Sequence, residues 1–366
     1  MTEISIFIPV YKESELLPAM LDKLVLQNVT NEIFVTIDAP SEHFLENMRR
    51  FNKVKFIINE ERIGKANALN NAVKLSSGRV LLFLDADIKL RDEPDFLKKI
   101  IEEMKHTDVL DIKKKVVRNS FLSKMTYYEY FAFNIGAWIA SKYLQRCPAA
   151  NGAAFAIKRE TFDALDGFRT VVAEDLDIAT RAFMDNHSFA YTKEVEVRSV
   201  VYSDWKDWIK QRKRWAIGLA LWLKEWYRDL LKKFVKKPQI FLPALYCLYP
   251  SVILLFLGIL MPNTWMYKLL LVFSLFLSVQ FNFALPVFVV SIATADLLKN
   301  LLISISSFAA ISILFFSFSR KLGFEMKIHE FVFYYFFYSL LGLIIMIIGL
   351  VQVFIFKKNA APDWKT

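Results

Sequence analysis

The spacing of apolar residues changes character near the middle of this chain. In residues 4–10, 33–37, 54–58 and 80–84 they come as short β-branched or aromatic runs, the pattern of strands buried on both faces. Residues 13–26, 42–51 and 65–75 instead carry them at three- and four-residue spacing, the pattern of amphipathic helices. This alternation predicts an α/β domain with a mostly parallel sheet covered by helices on both faces. Ligands of such sheets bind beyond the carboxyl ends of the strands, where the chain turns back. Three polar turns fall there: Tyr11-Lys12-Glu13, Asp38-Ala39-Pro40 and Asp85-Ala86-Asp87. The site is expected where they meet.

Residues 120–145 are helical in period and rich in aromatics. Tyr127, Tyr128, Tyr130, Phe131 and Phe133 either line a binding groove or form a buried core helix. Residues 149–158 (AANGAAFAIK) lead into a further strand with side chains small enough to let a ligand approach the backbone. Glu174-Asp175-Leu176-Asp177 then opens a helix to about residue 186. Residues 205–226 hold five of the eight tryptophans among Lys and Arg. Trp215, Leu219, Trp222 and Trp226 share one helix face, which predicts an amphipathic helix lying in a membrane interface. Four apolar segments follow, at 240–260, 266–290, 301–318 and 331–356, each near the roughly 20 residues that cross a bilayer core. An even number of spans returns the C-terminus to the side of the polar domain. The basic loop 319–330, with Arg320, Lys321 and Lys327, runs against that topology.

Composition supports the division. Hydrophobic residues make up 55% of the 366, with 34 Phe, more than a soluble domain of this length carries. The net charge is +10, and residues 206–237 contain eleven Lys/Arg against three Asp/Glu, so most of the excess sits just before the apolar half. A juxtamembrane basic cluster predicts anionic membrane lipid as the partner, not nucleic acid. Cys147 and Cys247 form no disulfide or zinc pattern, which fits a cytosolic domain. The N-terminal apolar run is short and lacks a basic lead, so it reads as a strand and not a signal. The four histidines are scattered and form no metal or triad pattern.

Candidate chemistry follows from position. Asp85 and Asp87 leave the strand VLLFLD on the same side. Such a pair either holds a hard cation, Mg²⁺ or Mn²⁺, with positions open for phosphate oxygens, or is two solvated turn aspartates. Glu174 and Asp175 suit a helix N-terminus through its dipole; Asp175 also suits a general base that removes a hydroxyl proton. Arg214 can clamp a pyrophosphate and Trp215 can stack on a sugar, or both belong to a basic membrane-surface helix. Lys65, after Gly64, is placed to touch a nucleotide, although the full P-loop spacing is absent.

Taken together, the segments "IFIPVYKE", "RIGKANALNNAVKLSSGRVLLFLDAD", "NGAAFAIKRETFDALDGF", "AED" and "QRKRW" resemble the membrane-integrated inverting glycosyltransferases of family 2, over nearly the whole chain. The C-terminal "PDWKT" resembles a Trp-x-Thr-type tail of the same family. The resemblance implies a GT-A, Rossmann-like catalytic domain at 1–200, interfacial helices bearing the Gln-x-x-Arg-Trp motif at 201–238, a helical transmembrane region at 239–357 and a cytosolic tail at 358–366. It implies that Pro9, Tyr11, Glu13, Asp38, Lys65, Asp85, Ala86, Asp87, Gln211, Arg214 and Trp215 bind the nucleotide sugar, with Asp38 reading the uracil ring of a UDP-sugar and Asp87 holding the metal. Asn151, Gly152, Glu174 and Trp215 would contact the acceptor, and Asp175 would be the base. The reaction implied is a metal-dependent single displacement giving a β-linked product on the cytosolic face of a plasma or endoplasmic-reticulum-type membrane. A low span count points first to a membrane-lipid acceptor, as in glucosylceramide synthase-like members. The alternative is processive synthesis of a β-linked polysaccharide, as in cellulose or hyaluronan synthases.

Overall fold

The computed structural model describes residues 2–236, 260, 262–282 and 292–357. The chain forms two compact units, one of residues 1–244 and 344–366, the other of residues 245–343. In the first, strands β1 (Ile4–Tyr11), β2 (Asn31–Asp38), β3 (Val54–Asn59), β4 (Val80–Leu84), β5 (Ile88–Leu90), β6 (Val109–Val116), β7 (Ala154–Lys158) and β8 (Phe189–Ser199) make one sheet in the order β3-β2-β1-β4-β7-β6-β8-β5. The first four strands run parallel, as do β6 and β8; β7 is antiparallel to both neighbours, and β5 to β8. Helices α1 (Leu17–Val25), α2 (Glu42–Met48) and α3 (Lys65–Lys74) connect the parallel strands. The strands and helices expected over residues 4–84 are all present. α1 starts four residues later than the apolar period predicts, because Pro18 favours the first helical turn and Lys12 adopts a left-handed φ of 62°.

Both faces of the sheet are apolar. On one, Ile4, Ile6 and Ile8 pack against α1 and α4 (Phe96–Met104) through Leu17, Leu21, Leu97 and Ile100. On the other, Phe34, Phe7, Phe83 and Phe155 stand in register across β2, β1, β4 and β7, with ring centroids 5.5, 5.2 and 5.1 Å apart. Each such ring pair contributes about 0.5–1.5 kcal/mol beyond area burial. This row marks the common register of β1, β2 and β4. After β6, helix α5 (Phe121–Ile139) opens on a capping box between Ser120 and Ser123 and ends in a π turn (Ala140–Leu144). Tyr127, Tyr128, Tyr130 and Phe131 are buried, so this helix is core, with Phe133 half-buried.

After β7 come α6 (Arg159–Ala164) and α7 (Glu174–Met184), and after β8 the long α8 (Trp205–Lys236). On α8 the buried stripe is Trp208, Arg212, Ala216 and Ala220, one residue per turn. Trp222 and Trp226 pack with Leu144, Phe183 and Leu230, and the Trp222 indole N–H donates to Thr180 Oγ1 at 2.8 Å. Two of the tryptophans expected in a membrane interface are therefore turned onto α7. Periodicity locates an apolar face without saying what covers it.

The second unit holds α9 (Asn263–Phe281), α10 (Ile292–Leu322), α11 (Ile328–Phe333) and the start of α12 (Ser339–Phe354), which α11 joins through a π turn (Tyr334–Tyr338). Among the described residues three helices are long and apolar enough to cross a membrane: Thr264–Phe281, Thr294–Leu322 and Ile328–Phe354. Only 11%, 22% and 28% of their apolar windows are buried, which leaves large apolar surfaces for lipid to cover. The first expected span, 240–260, lies outside the described residues apart from Leu260, as do 283–290 of the second and the tail 358–366. The third is longer than expected. At 29 residues it reaches roughly 43 Å against about 30 Å of hydrocarbon, so Arg320 and Lys321 lie in its last turn, not in a loop. Their cations lie back over Phe316 and Phe318, 4.7 and 5.7 Å from the ring centroids. The part of α12 from residue 344 onward belongs to the first unit, where Val353 packs on Ile217 and Ala220.

Gly78 tests the sheet. A Cβ there would lie 2.4 Å from Ser5 Oγ, 2.5 Å from Ser5 N and 2.7 Å from Ile4 C, on a central strand that cannot retreat. Gly78→Ala is expected to destabilise the protein by on the order of 1–3 kcal/mol, read as a lowered Tm in detergent.

Candidate active site

Along the sheet the chain steps outward from β1 to β3 and then returns to β4 on the other side of β1, so the crevice opens between β1 and β4. The three polar turns meet there. Ser14 Oγ donates to Ala86 O at 2.6 Å, Lys12 N to Asp38 O at 2.9 Å, and Ala39 N to Asn59 O at 2.8 Å. Ala39, with φ 50°, and Lys12 are non-glycine residues in the left-handed region, a strain found at functional turns. Asp38 is 5% exposed; its carboxylate accepts from Asn59 Nδ2 at 2.8 Å and Gly64 N at 3.0 Å. Gly64 takes φ +89°, which a side chain would oppose, and so aims its N–H at Asp38 as α3 begins. Tyr11 is exposed, with the Arg62 guanidinium 4.1 Å from its ring centroid. Sequence reasoning found Tyr11 and Asp38 but missed Arg62, whose one signal is a cation two residues before the turn glycine. Pro9 lies within β1 opposite Thr36, and Glu13 is exposed beyond the turn.

The antiparallel entry of β7 brings a second segment to the same end of the sheet. Leu84 pairs with Ala154, and Asp85 N donates to Ala153 O at 2.9 Å. One residue earlier, Gly152 N donates to Asp175 Oδ2 at 2.7 Å, and Leu176 N to Asp175 Oδ1 at 2.8 Å. Asn151 Oδ1 accepts from Ala153 N at 3.0 Å, so that side chain braces its own loop. Lys65 bridges the halves, 2.8 Å from Asp85 and 3.0 Å from Glu174. Sequence reasoning gave Lys65 to the nucleotide; in the structure it joins the strand-end aspartate to the acidic helix start.

Charge follows from this packing. Burial would lower the Lys65 pKa, but Asp85, Glu174 and Asp175 outweigh it and hold the ammonium well above its ordinary value. Asp87 lies open to solvent but with protein on most sides; burial and the Asp85 charge push it up to about 7 against the pull of Lys65 and Arg214. Asp175 is pushed up to about 6, by burial and then by Glu174, against Lys65 and the Gly152 and Leu176 N–H groups. Asp177, by contrast, is 2% exposed and paired with Arg169 at 3.0 Å and Arg181 at 2.9 Å, which makes it a brace of α7.

Helix α8 lends the remaining groups. Arg214 is exposed and acts on the Asp87 charge; Trp215 and Gln211 are half-buried. Arg212, which the motif reading passed over, pairs with Glu129 of α5 and donates to Gln211 Oε1 at 2.8 Å. Its guanidinium lies 4.2 Å from the Trp215 ring centroid and 5.2 Å from that of Trp208. Nothing in the sequence marked Glu129, an acid inside an aromatic helix. Tyr130 is buried, and burial and then the nearby Asp87 charge raise its phenol pKa and keep it protonated. Among the described residues no three His, Cys, Asp or Glu side chains gather into a closed metal cage. Asp85 and Asp87, side by side just after β4, are a donor set that fits a divalent cation, because Mg²⁺ and Mn²⁺ take one or two carboxylates and fill the rest with phosphate and water.

Comparison with known proteins fits this arrangement. The sequence model of the Glycosyl transferase family group 2 matches residues 80–351, and that of Glycosyl transferase family 2 matches residues 5–152. The chain belongs to glycosyl transferase family group 2. It is 29% identical over 229 residues to the poly-beta-1,6-N-acetyl-D-glucosamine synthase of Staphylococcus epidermidis, covering 59% of this chain and 54% of that one. To the Staphylococcus aureus (strain COL) enzyme of the same name it is 26% identical over 268 residues, covering 70% and 64%. The chain thus spans between about half and two thirds of the curated relatives it matches. Among solved structures, the mannosyltransferase PcManGT from Pyrobaculum calidifontis, in complex with GDP-Man and Mn2+, superposes with a TM-score of 0.52 at 20% identity, covering 82% of this chain and 87% of that one. That likeness identifies the GT-A fold.

Gly152 tests the site. A Cβ there would stand 2.8 Å from Asp175 Oδ2 and 3.1 Å from Asp175 Cβ and Cγ. Gly152→Ala is expected to displace the carboxylate and lower transfer by on the order of 10²-fold with little change in Tm, read as turnover beside thermal unfolding.

Proposed function

We propose that this protein transfers a sugar from a nucleotide sugar, with inversion, onto a growing β-linked glycan at a membrane. The observation that carries the reading is the Lys65 bridge, which sets a strand-end carboxylate pair and a helix-start carboxylate pair in one crevice. The glycan is preferred over a membrane-lipid acceptor because the relatives matched are named polysaccharide synthases. Lipid glycosylation, which the low span count favoured, becomes the second reading.

In this scheme Tyr11, Arg62 and Asp38 hold the base of a UDP-sugar, and Arg214 with Gln211 closes on the diphosphate. Asp87, assisted by Asp85, would hold Mg²⁺ or Mn²⁺, which when bound neutralises the departing diphosphate. Asn151, Gly152, Glu174 and Trp215 frame the acceptor. As the acceptor oxygen attacks C1 and the nucleoside diphosphate leaves, Asp175 takes the hydroxyl proton. Its two backbone N–H partners keep the carboxylate aimed at that oxygen. An α-linked donor gives a β-linked product. Residues 1–200 are the catalytic domain, on the cytosolic face; 201–238 carry the Gln-x-x-Arg-Trp helix, 239–357 the membrane region and 358–366 a cytosolic tail.

The test is a product assay on purified protein with labelled nucleotide sugars and Mg²⁺ or Mn²⁺. A labelled polymer is expected; a single small species in the organic phase would return the acceptor to lipid. Asp175→Asn is expected to lower turnover by on the order of 10²–10⁴-fold with donor affinity kept, whereas Asp87→Asn weakens metal-dependent donor binding. Equal loss of donor affinity in both variants refutes this division of roles.

The base must be ionised, and its carboxyl sits at about 6. With metal and donor saturating, which keeps Asp87 ionised, the rate is therefore expected to fall about tenfold per pH unit below that value and to level above it, in a pH profile of kcat.

A further inference from the structure

The hydroxyl of Thr180 joins three parts of the first unit, and the proposed chemistry uses none of its bonds. Thr180 stands on α7, a turn and a half after Asp175, and is fully buried. Its oxygen accepts from the Trp222 indole N–H of α8 at 2.8 Å. The same oxygen lies 2.8 Å from two carbonyls, Pro148 O and Leu176 O, and has one hydrogen for both. The bond to Leu176, one turn back, is the local one that threonines make on helices. Pro148 is not local, since it lies in the segment that leads into β7. Valine has the same branched shape without the polar atom, so packing alone does not call for a hydroxyl at this position.

Each end of this link leads to the site. Trp222 stands two turns of α8 beyond Trp215, on the same face. At the other end, the segment before β7 is fixed in steps. Gln145 O accepts from Phe189 N at 2.8 Å, and Pro148 O from Thr180. Gly152 N then donates to Asp175 Oδ2 at 2.7 Å, and Ala153 O takes Asp85 N where the β7 ladder begins. Thr180 thus holds the loop that presents Asn151 and Gly152. We propose that Thr180 is a positioning residue: its hydroxyl ties Trp222 of α8 to the Pro148 carbonyl, so that Trp215 on the helix and Asn151 and Gly152 on the loop keep one spacing across the acceptor. The inference rests on the reading that these residues frame the acceptor and that Asp175 is the base. Thr180 itself touches no substrate. Hydrogen bonds that run through one oxygen polarise each other, so losing either end weakens the whole link. A displacement of about 1 Å in a framing group can cost on the order of 10²-fold in rate, which is why so modest a bond matters.

The test uses the full chain in detergent with Thr180→Val, which removes the hydroxyl, Thr180→Ser, which keeps it, and Trp222→Phe, which removes the indole N–H. The Thr180→Val/Trp222→Phe double variant completes a cycle, and Asp175→Asn is the reference. Three quantities are read: kcat per folded molecule, Tm, and Kd for UDP or GDP, whichever matches the donor that supports turnover. Thr180→Val is expected to lower kcat about tenfold with the nucleotide Kd within about twofold of the parent. Thr180→Ser is expected to keep kcat within about threefold of the parent. The double variant should be within about twofold of Thr180→Val alone, because Trp222 acts through Thr180. A purely structural hydroxyl would lower Tm in Thr180→Val and leave kcat per folded molecule unchanged, which overturns the proposal. So do losses that multiply in the double variant, or a Thr180→Ser protein as slow as Thr180→Val. Should Thr180→Val fail to fold, Trp222→Phe decides: a kcat loss of about threefold or more is expected, and an unchanged kcat overturns the link. Turnover lost in Asp175→Asn but kept in Thr180→Val overturns this inference alone. Turnover surviving in Asp175→Asn overturns the base assignment and the inference with it.

Discussion

One ammonium group holds the two halves of this site together against their own charge. Asp85 and Asp87 come from the end of β4, Glu174 and Asp175 from the start of α7, and all four face one crevice. Two like charges about 4 Å apart repel by about 4 kcal/mol at an effective dielectric constant of about 20, so a cluster of this kind needs a counter-charge. Lys65 reaches one carboxylate of each pair. The other two, Asp87 and Asp175, keep carboxyl pKa values pushed up to about 7 and about 6. The pairing thus sorts the acids. Asp85 and Glu174 carry the bridge besides their share in the site, and the proposed roles of holding a cation and taking a proton fall to Asp87 and Asp175.

The wall of the site has to come from elsewhere, because a parallel sheet leaves its crevice open beyond the strand ends. Helix α8 supplies it and is strapped along the catalytic domain at three points. Arg212 pairs with Glu129 of α5, Trp222 donates to Thr180 of α7, and Lys233 Nζ caps the last turn of α7 at Phe183 O and Met184 O, 2.9 and 2.8 Å away. Arg214 and Trp215 lie between the first and second straps. Their positions therefore depend on a helix whose docking is as polar as it is apolar, and the signature motif is only its visible part.

Much of this was legible in the chain. The runs around Phe7, Phe34 and Phe83 declared strands, and the polar residues ending them declared the site, because a pleated strand and its turn are encoded within about ten residues. The aromatics of α5 remained ambiguous, since a helix apolar on most sides has the same composition in a groove as in a core. Burial of Tyr128 and Phe131 decides it. Arg62 carried only the faint signal of a cation two residues before Gly64, and Glu129 carried none. Glu129 meets Arg212 at a separation of 83 residues, and no local period encodes such a meeting. Lys65 was picked out as a residue, but its reach to Glu174 was not legible for the same reason, as Glu174 lies in a distant segment.

The contact between Gly349 of α12 and Ala216 of α8 has a mechanical meaning. A Cβ at position 349 would sit 2.7 Å from Ala216 Cβ, 2.8 Å from its carbonyl carbon and 2.9 Å from its carbonyl oxygen, so the two helices touch backbone to side chain with no cushion. Ala216 is the residue after Trp215. A helix long and apolar enough to cross a membrane is thereby packed one residue from the wall of the crevice. A side chain at 349 would press directly on the residue that follows Trp215, so the missing methyl group is part of how the wall of the crevice is built.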